Sequence, residues 1–186
     1  FLLRPGDERD VAGEEKELLE RAARGEEGAF RAIAERYRGP ILNLAYQMLG
    51  DEHEAEDVAQ EVFLRMLRHW RKFRGGELRP WLYRMAVNLC TTALKRRQSR
   101  RERPLDEARA AEAGGTDPTE AIAVREALSR LSPKLRAVLI LRELHGLDYA
   151  EIAEALGVPV GTVRSRLARA REEFKRIWLE MEGEAR

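Results

Sequence analysis

The chain has 186 residues, of which 44% are hydrophobic and 36% charged, against a usual charged share of roughly a quarter. Its formal net charge is only +1, so it is no polycation, and any nucleic-acid affinity has to come from local patches. A single cysteine excludes an internal disulfide, no apolar run is long enough to span a bilayer, and few prolines, glycines and aromatics favour helices over a sandwich or barrel. The expectation is a soluble, cytoplasmic, all-α protein without membrane insertion. Residues 1–13 mix Pro, Gly and charge without periodicity and read as a loose arm. From Glu14 apolar residues fall at helical spacing, at Leu18, Leu19, Ala22 and Ala23, then Phe30, Ile33, Ala34 and Tyr37.

Pro40 is placed to open a further helix, with Ile41, Leu44, Ala45 and Met48 toward a core and Gly50 to stop it. Asp51 suits the N-cap of the next helix, which runs to about Lys72. That helix is acidic first ("DEHEAEDVAQE") and basic later (Arg65, Arg68, Arg71, Lys72), the order its dipole favours. Val58, Val62, Met66, Leu67 and Trp70 form its core stripe. After "FRGGELRP", Pro80 starts another helix whose buried side is Trp81, Leu82, Met85, Leu89 and Ala93. Cys90, within this apolar run, reads as a small core residue. Opposite lies a polar stripe of Arg84, Asn88, Thr91 or Thr92, and Lys95, which Arg96, Arg97, Arg100, Arg101 and Arg103 extend into a basic tail. With Trp81, Tyr83 and the Gly75-Gly76 loop beside it, the stripe forms a surface for unstacked bases.

Residues 101–118 are polar and carry Pro104, Gly114-Gly115 and Pro118, the composition of an interdomain linker that leaves two domains tumbling independently. A second helical unit follows, with a helix from Thr119 to Leu131, a Ser132-Pro133 start, a stop at His145-Gly146, and a capping box from Asp148 and Glu151. Gly157 ends that last short helix. In "GVPVGTVRSRLARARE" the residues Val160, Val163, Leu167 and Ala170 recur at three and four, with Phe174 and Ile177 continuing the stripe. Small Ala153, turn-forming Gly157 and apolar Val163 meet the steric demands of a helix-turn-helix. Its second helix presents N-terminal side chains to the major groove, which places Thr162, Arg164, Ser165, Arg166 and Arg169 on the DNA side.

Three stretches, "DEHEAEDVAQEVFLRMLRHWRKF", "LRPWLYRMAVNLC" and "LDYAEIAEALGVPVGTVRSRLARARE", together resemble bacterial sigma factors of the extracytoplasmic-function group. The resemblance runs from about Glu14 to Trp178. It implies region two over residues 14–100 and region four over residues 119–180, joined by the linker and followed by a short tail at 181–186. It implies an alternative sigma factor that binds core RNA polymerase and directs promoter recognition, melting and initiation for a stress or envelope-signal regulon. By resemblance, Asp57, Gln60, Glu61 and Phe63 dock on the polymerase beta-prime clamp helices, and a carboxylate cluster suits a basic protein partner better than phosphate. The Phe73-to-Arg79 loop and Arg79, Arg84, Asn88, Lys95, Arg96 and Arg97 correspond to the elements that melt the minus-ten element and hold single-stranded DNA. Region four corresponds to the reader of the minus-thirty-five duplex, its first helices touching the beta flap. A cognate anti-sigma factor is the further partner implied. One departure stands out: many members carry Asp four residues after the Asn of this helix, whereas Asn88 is followed by Thr92.

A repressor or activator would account for the helix-turn-helix but leaves the acidic helix unexplained, and a DNA-free sigma mimic leaves the basic reader face unexplained. Enzyme chemistry has no support, because His53, His69 and His145 are scattered, Cys90 stands alone, and no phosphate loop or metal spacing occurs. Neither a cofactor nor a metal is expected.

Overall fold

The computed structural model describes residues 7–73, 76–101 and 119–184. Among them every regular element is helical: α1 (Asp7–Ala23), α2 (Glu27–Leu49), α3 (Glu52–His69), α4 (Leu78–Arg101), α5 (Thr119–Arg130), α6 (Pro133–Leu139), α7 (Tyr149–Leu156) and α8 (Val160–Glu184). A 3₁₀ turn, Trp70–Lys72, extends α3, and a π turn, Ile140–Leu144, extends α6. None of these helices is long and apolar enough to cross a membrane.

In the first domain α2 is central, packed on α1, α3 and α4. Its buried residues Ala29, Ile33, Tyr37, Ile41, Leu44, Ala45 and Met48 keep helical spacing straight across Pro40. Pro40 therefore opens no new helix. Its ring removes the N–H that would bond the Arg36 carbonyl, but the stripe buried on both sides of it holds the helix together. Gly50 does end it, in the left-handed region at φ 68°, with its N–H donating to the Tyr46 carbonyl at 2.8 Å. The Asp51 carboxylate then accepts from the Glu54 N–H at 2.8 Å and starts α3.

The second domain packs α5, α6 and α7 around α8. α7 begins with the expected capping box, the Asp148 side chain and Glu151 N–H pairing at 2.8 Å and the Glu151 side chain and Asp148 N–H at 2.8 Å. It ends in a Schellman cap at Gly157, φ 63°, where the Val158 N–H bonds back to the Ala153 carbonyl at 3.0 Å.

Several expectations need correction. Helix α1 starts at Asp7, inside the stretch expected to be loose, and α8 runs on to Glu184, through most of the expected tail. Leu67 is 52% exposed and Val160 37% exposed, so neither belongs to the core. The buried side of α4 is Leu78, Leu82, Tyr83, Ala86, Val87 and Cys90, whereas Trp81, Met85, Leu89 and Ala93 are only half-buried. This rotation has a tertiary cause: α4 faces α2 and α3 on one side and α7 of the second domain on another. The two domains thus pack together instead of standing apart. The tether expected to separate them lies outside the described residues beyond Arg101, as does Gly75.

Candidate nucleic-acid and polymerase interfaces

On α8 the apolar stripe seats Val163, Leu167, Ala170 and Ile177 in the core, each at most 4% exposed. The opposite face carries the predicted reader residues: Arg164, Ser165 and Arg169 are exposed, and Thr162 and Arg166 half-buried at its flanks. Their states differ. Ser165 donates to the Thr162 carbonyl at 3.0 Å, and Arg169 pairs with Glu173 at 2.8 Å. Arg171 is bound at 2.6 Å to Glu143, 28 residues back, which fixes the π turn to α8. Arg164 and Arg166 have no ionic partner among the described residues, so two guanidiniums at the helix's N-terminal end are available for an outside acceptor.

On α4 the stripe Arg84, Asn88, Thr92, Lys95 and Arg96 is exposed, as the spacing requires. The Thr92 hydroxyl donates to the main-chain carbonyl of Asn88 at 2.9 Å, and the Asn88 side chain is exposed. Two residues grouped with this stripe are otherwise engaged. Arg97 pairs with Glu54 at 2.7 Å and donates to the Leu49 carbonyl at 2.7 Å, so it caps the end of α2. Arg79 donates to the His145 carbonyl and lies 3.4 Å from a Glu151 carboxylate oxygen, both in the second domain.

Helix α3 divides the expected docking quartet between two faces. Asp57 and Glu61 line an open cleft of about 570 Å³ against α4, together with Arg65, Asn88, Thr92 and Arg96. There the hydrogen bond from Arg65, at 2.7 Å, holds the Glu61 carboxyl below its ordinary pKa. Gln60 and Phe63 face the other way, into a groove of about 440 Å³ with Leu42, Leu64 and Leu67. Leu64 and Leu67, 39% and 52% exposed, give this groove an apolar rim that a solvated helix has no use for. In the second domain a comparable apolar groove of about 340 Å³ lies between Val124, Leu128, Leu139, Leu144 and Phe174.

Phe30, Trp70, Phe73 and Trp81 form one ring cluster, with Trp70–Phe73 centroids 5.4 Å apart and Phe73–Trp81 5.0 Å. Both tryptophans pack against the core but are only half-buried. The cluster anchors the start of the loop before α4 and so fixes where the polar stripe begins.

Residues 33–100 match the family model for sigma-70 region 2, and residues 121–174 that for sigma-70 region 4. The RNA polymerase sigma-H factor of Pseudomonas aeruginosa is 37% identical over 86% of this chain and 91% of its own length. The extracytoplasmic-function sigma-E factor of Escherichia coli K12 is 37% identical over 83% and 89%. The chain belongs to the extracytoplasmic-function sigma factors. Among solved structures, CnrH in complex with the cytosolic domain of CnrY superposes with a TM-score of 0.69 at 25% identity, covering 88% of this chain and 96% of that one. RpoE of Bartonella quintana, solved with the anti-sigma factor NepR, gives 0.66 at 22% identity over 80% and 95%, a likeness of fold.

As a sigma factor, the chain serves promoter recognition and transcription initiation, with region two on the first helical unit and region four on the second. Spacing alone missed three of this sigma factor's interface residues. Tyr83 was legible only as an aromatic near the stripe, Arg136 only as a charge in an apolar run, and His145 only as a helix stop. An arginine inside "KLRAVLIL", flanked by apolar residues on both sides, was the one available signal that a charge had to be buried.

Proposed function

We propose that α3 docks this sigma factor on core polymerase through Gln60, Phe63 and the apolar groove beside them, with Asp57 and Glu61 extending the contact. Arg84, Asn88, Lys95 and Arg96 on α4 then hold melted minus-ten DNA, and Thr162, Arg164, Ser165, Arg166 and Arg169 on α8 read the minus-thirty-five duplex. Arg79 joins the minus-ten set once released from the second domain, and Arg97 acts on it by anchoring α4. One observation carries the reading: a partner-sized groove on α3 and an unpaired polar stripe on α4 occur in the same domain, tied to a helix-turn-helix. The domain limits 14–100, 101–118 and 119–180 go with it, widened at the outer ends by α1 and α8. Catalysis belongs to the polymerase, and this chain supplies specificity. The groove of α5, α6 and α8 fits an apolar flap element. Since RpoE of Bartonella quintana was solved with an anti-sigma factor, a cognate inhibitor controlling a stress or envelope-signal regulon in the cytoplasm completes the proposal.

Transcription with core polymerase on a promoter library tests it. The expected result is one promoter class with paired minus-thirty-five and minus-ten preferences, lost when Phe63→Asp weakens core binding. Transcripts independent of the chain, or core binding unmoved by Phe63→Asp and by reversal of Asp57 and Glu61, would overturn the docking assignment.

A further inference from the structure

The contact between the two domains is built as specifically as either core, and it joins surfaces that the function needs apart. Helix α7 lies against α4. The Tyr83 hydroxyl and His145 Nδ1 are 3.0 Å apart, their rings meet edge-on at 5.2 Å, and Tyr83 is only 2% exposed. The π turn aims that imidazole: the His145 N–H bonds to the Ile140 carbonyl at 3.2 Å, one residue wider than an α-helix allows. Arg79 crosses to the His145 carbonyl and to Glu151. It enters a group of carboxylates, Glu77, Asp148, Glu151 and Glu154, where burial first, and then repulsion from the other three, raises the Glu77 pKa.

A second clasp sits at the end of α2. Arg136 of α6, 7% exposed, donates to the Met48 carbonyl and, at 2.6 Å, to the Ser129 carbonyl. The C-terminus of a helix carries partial negative charge, so a buried cation is held there by backbone dipoles alone. Arg125 adds a contact 4.7 Å above the Tyr46 ring.

This arrangement cannot span a promoter. A side chain at Gly157, in the helix-turn-helix turn, would begin 3.3 Å from the Arg84 guanidinium. Thr162 is five residues further on, at most about 18 Å of extended chain. The minus-ten stripe and the reader helix are therefore within roughly 20 Å of each other. The two promoter elements, about 25 base pairs apart by their names, lie roughly 85 Å apart on duplex DNA. Arg79 meanwhile cannot serve the second domain and melted DNA together.

We propose that Arg79 and Tyr83 with His145 and Glu151 form an autoinhibitory latch that closes the free sigma factor, masking the head of its minus-ten stripe until core polymerase parts the domains. The proposal rests on the promoter-binding reading above. Arg79 is the hand-over point, latched in the closed form and released to DNA in the open one.

The test uses the full chain with a dye pair at Glu35→Cys and Lys175→Cys, Cys90 being buried. The double variant His145→Asn, Glu151→Gln removes the second-domain side chains of the latch, which are assigned to neither DNA nor polymerase. Glutamine still serves the capping box, so α7 keeps its start. The expected result is a high-transfer closed state in the unaltered chain and a shift to low transfer in the variant. Binding of single-stranded minus-ten DNA without polymerase should tighten about tenfold, equivalent to about 1.4 kcal/mol. Helicity and holoenzyme transcription should be unchanged. An open unaltered chain, or a variant that stays closed with unaltered affinity for single-stranded minus-ten DNA, would overturn the latch. Should the variant lose helicity, Tyr83→Phe alone, which deletes one oxygen, decides by the same two readouts. Absence of promoter-specific transcription by the unaltered holoenzyme would instead strike the functional reading, whatever the dyes report.

Discussion

Arg97 donates from Nη1 to the carbonyl oxygen of Leu49 at 2.7 Å, 48 residues back along the chain. Its other guanidinium nitrogens hold Glu54 at 3.1 and 2.7 Å, so one side chain ties the C-terminal part of α4 to the end of α2 and the start of α3. Its neighbour Arg96 is exposed with no such partner. Arg97→Ala should therefore lower folding stability by about 1–2 kcal/mol, the scale of a charge-assisted hydrogen bond discounted for partial exposure. Arg96→Ala should leave stability unchanged and weaken minus-ten binding. Urea unfolding of both variants separates the roles. A stable Arg97→Ala protein that has lost promoter affinity would return Arg97 to the DNA.

The contrast between these adjacent arginines marks the limit of what spacing reveals. Caps were legible, because Asp51, Gly50, Asp148 and Gly157 act on backbone within four residues. The reader face of α8 was legible too, since a single amphipathic period fixes which side is buried. Pro40 misled because local propensity yields to a stripe buried on both sides of it. Arg97, Arg79, Tyr83 and Arg136 were not legible, since their partners lie 43 to 88 residues away. The face of α4 was misread for the same reason: a helix touched by two domains buries more than one stripe. The docking quartet looked like one patch because it is contiguous in sequence, yet successive helical residues diverge by about 100° and deliver Asp57 and Phe63 to different grooves.

On α8 the pairing of each arginine sets its expected effect. Arg164 and Arg166 have no ion-pair partner among the described residues, so either can make a bidentate contact with a guanine edge without first breaking one. Replacing one that reads a base should cost about 1–3 kcal/mol and relax preference at a single base pair. Arg169, paired with Glu173, should behave as a phosphate contact. Its loss should weaken all sequences alike and reduce the salt slope by about 1. Titrations of a base-substituted duplex series over several salt concentrations distinguish these outcomes. Uniform losses for every substitution would leave this helix without a base reader.

Asn88 makes a separable prediction about melting. Its amide is exposed at the centre of the stripe, and extruding a base costs a few kcal/mol that a contact to the extruded base helps offset. Asn88→Ala should slow open-complex formation on duplex promoters, and a pre-melted template should restore part of the rate by removing the unpairing cost. Removal of the loop between Phe73 and Arg79 should be rescued more fully, since it acts on unpairing itself. Permanganate footprinting on matched duplex and bubble templates measures both. Equal impairment on the two templates would count against a melting role.

Closure of the domains should depend on pH through His145. Burial, with a smaller contribution from the Arg79 cation, lowers its pKa from the ordinary 6.5 to about 4 in the closed form. Protonation would make both ring nitrogens donors, and the buried Nε2 faces no acceptor. In the open form the exposed imidazole titrates near its ordinary value. As pH falls below about 6.5 the open form therefore takes up a proton that the closed form refuses. Closure is at full strength above that value and weakens by at most about 1.4 kcal/mol per pH unit down to about 4. Glu77 works the other way: its raised pKa makes the closed form bind protons more readily, so it favours closure as its own carboxyl titrates. Tyr83, also raised by burial, stays neutral throughout this range. The dye pair on the full chain should accordingly report opening as pH drops from 7 toward 5. His145→Asn should abolish that step while leaving the opposing Glu77 response in place. A step that survives His145→Asn would assign the pH dependence to another group.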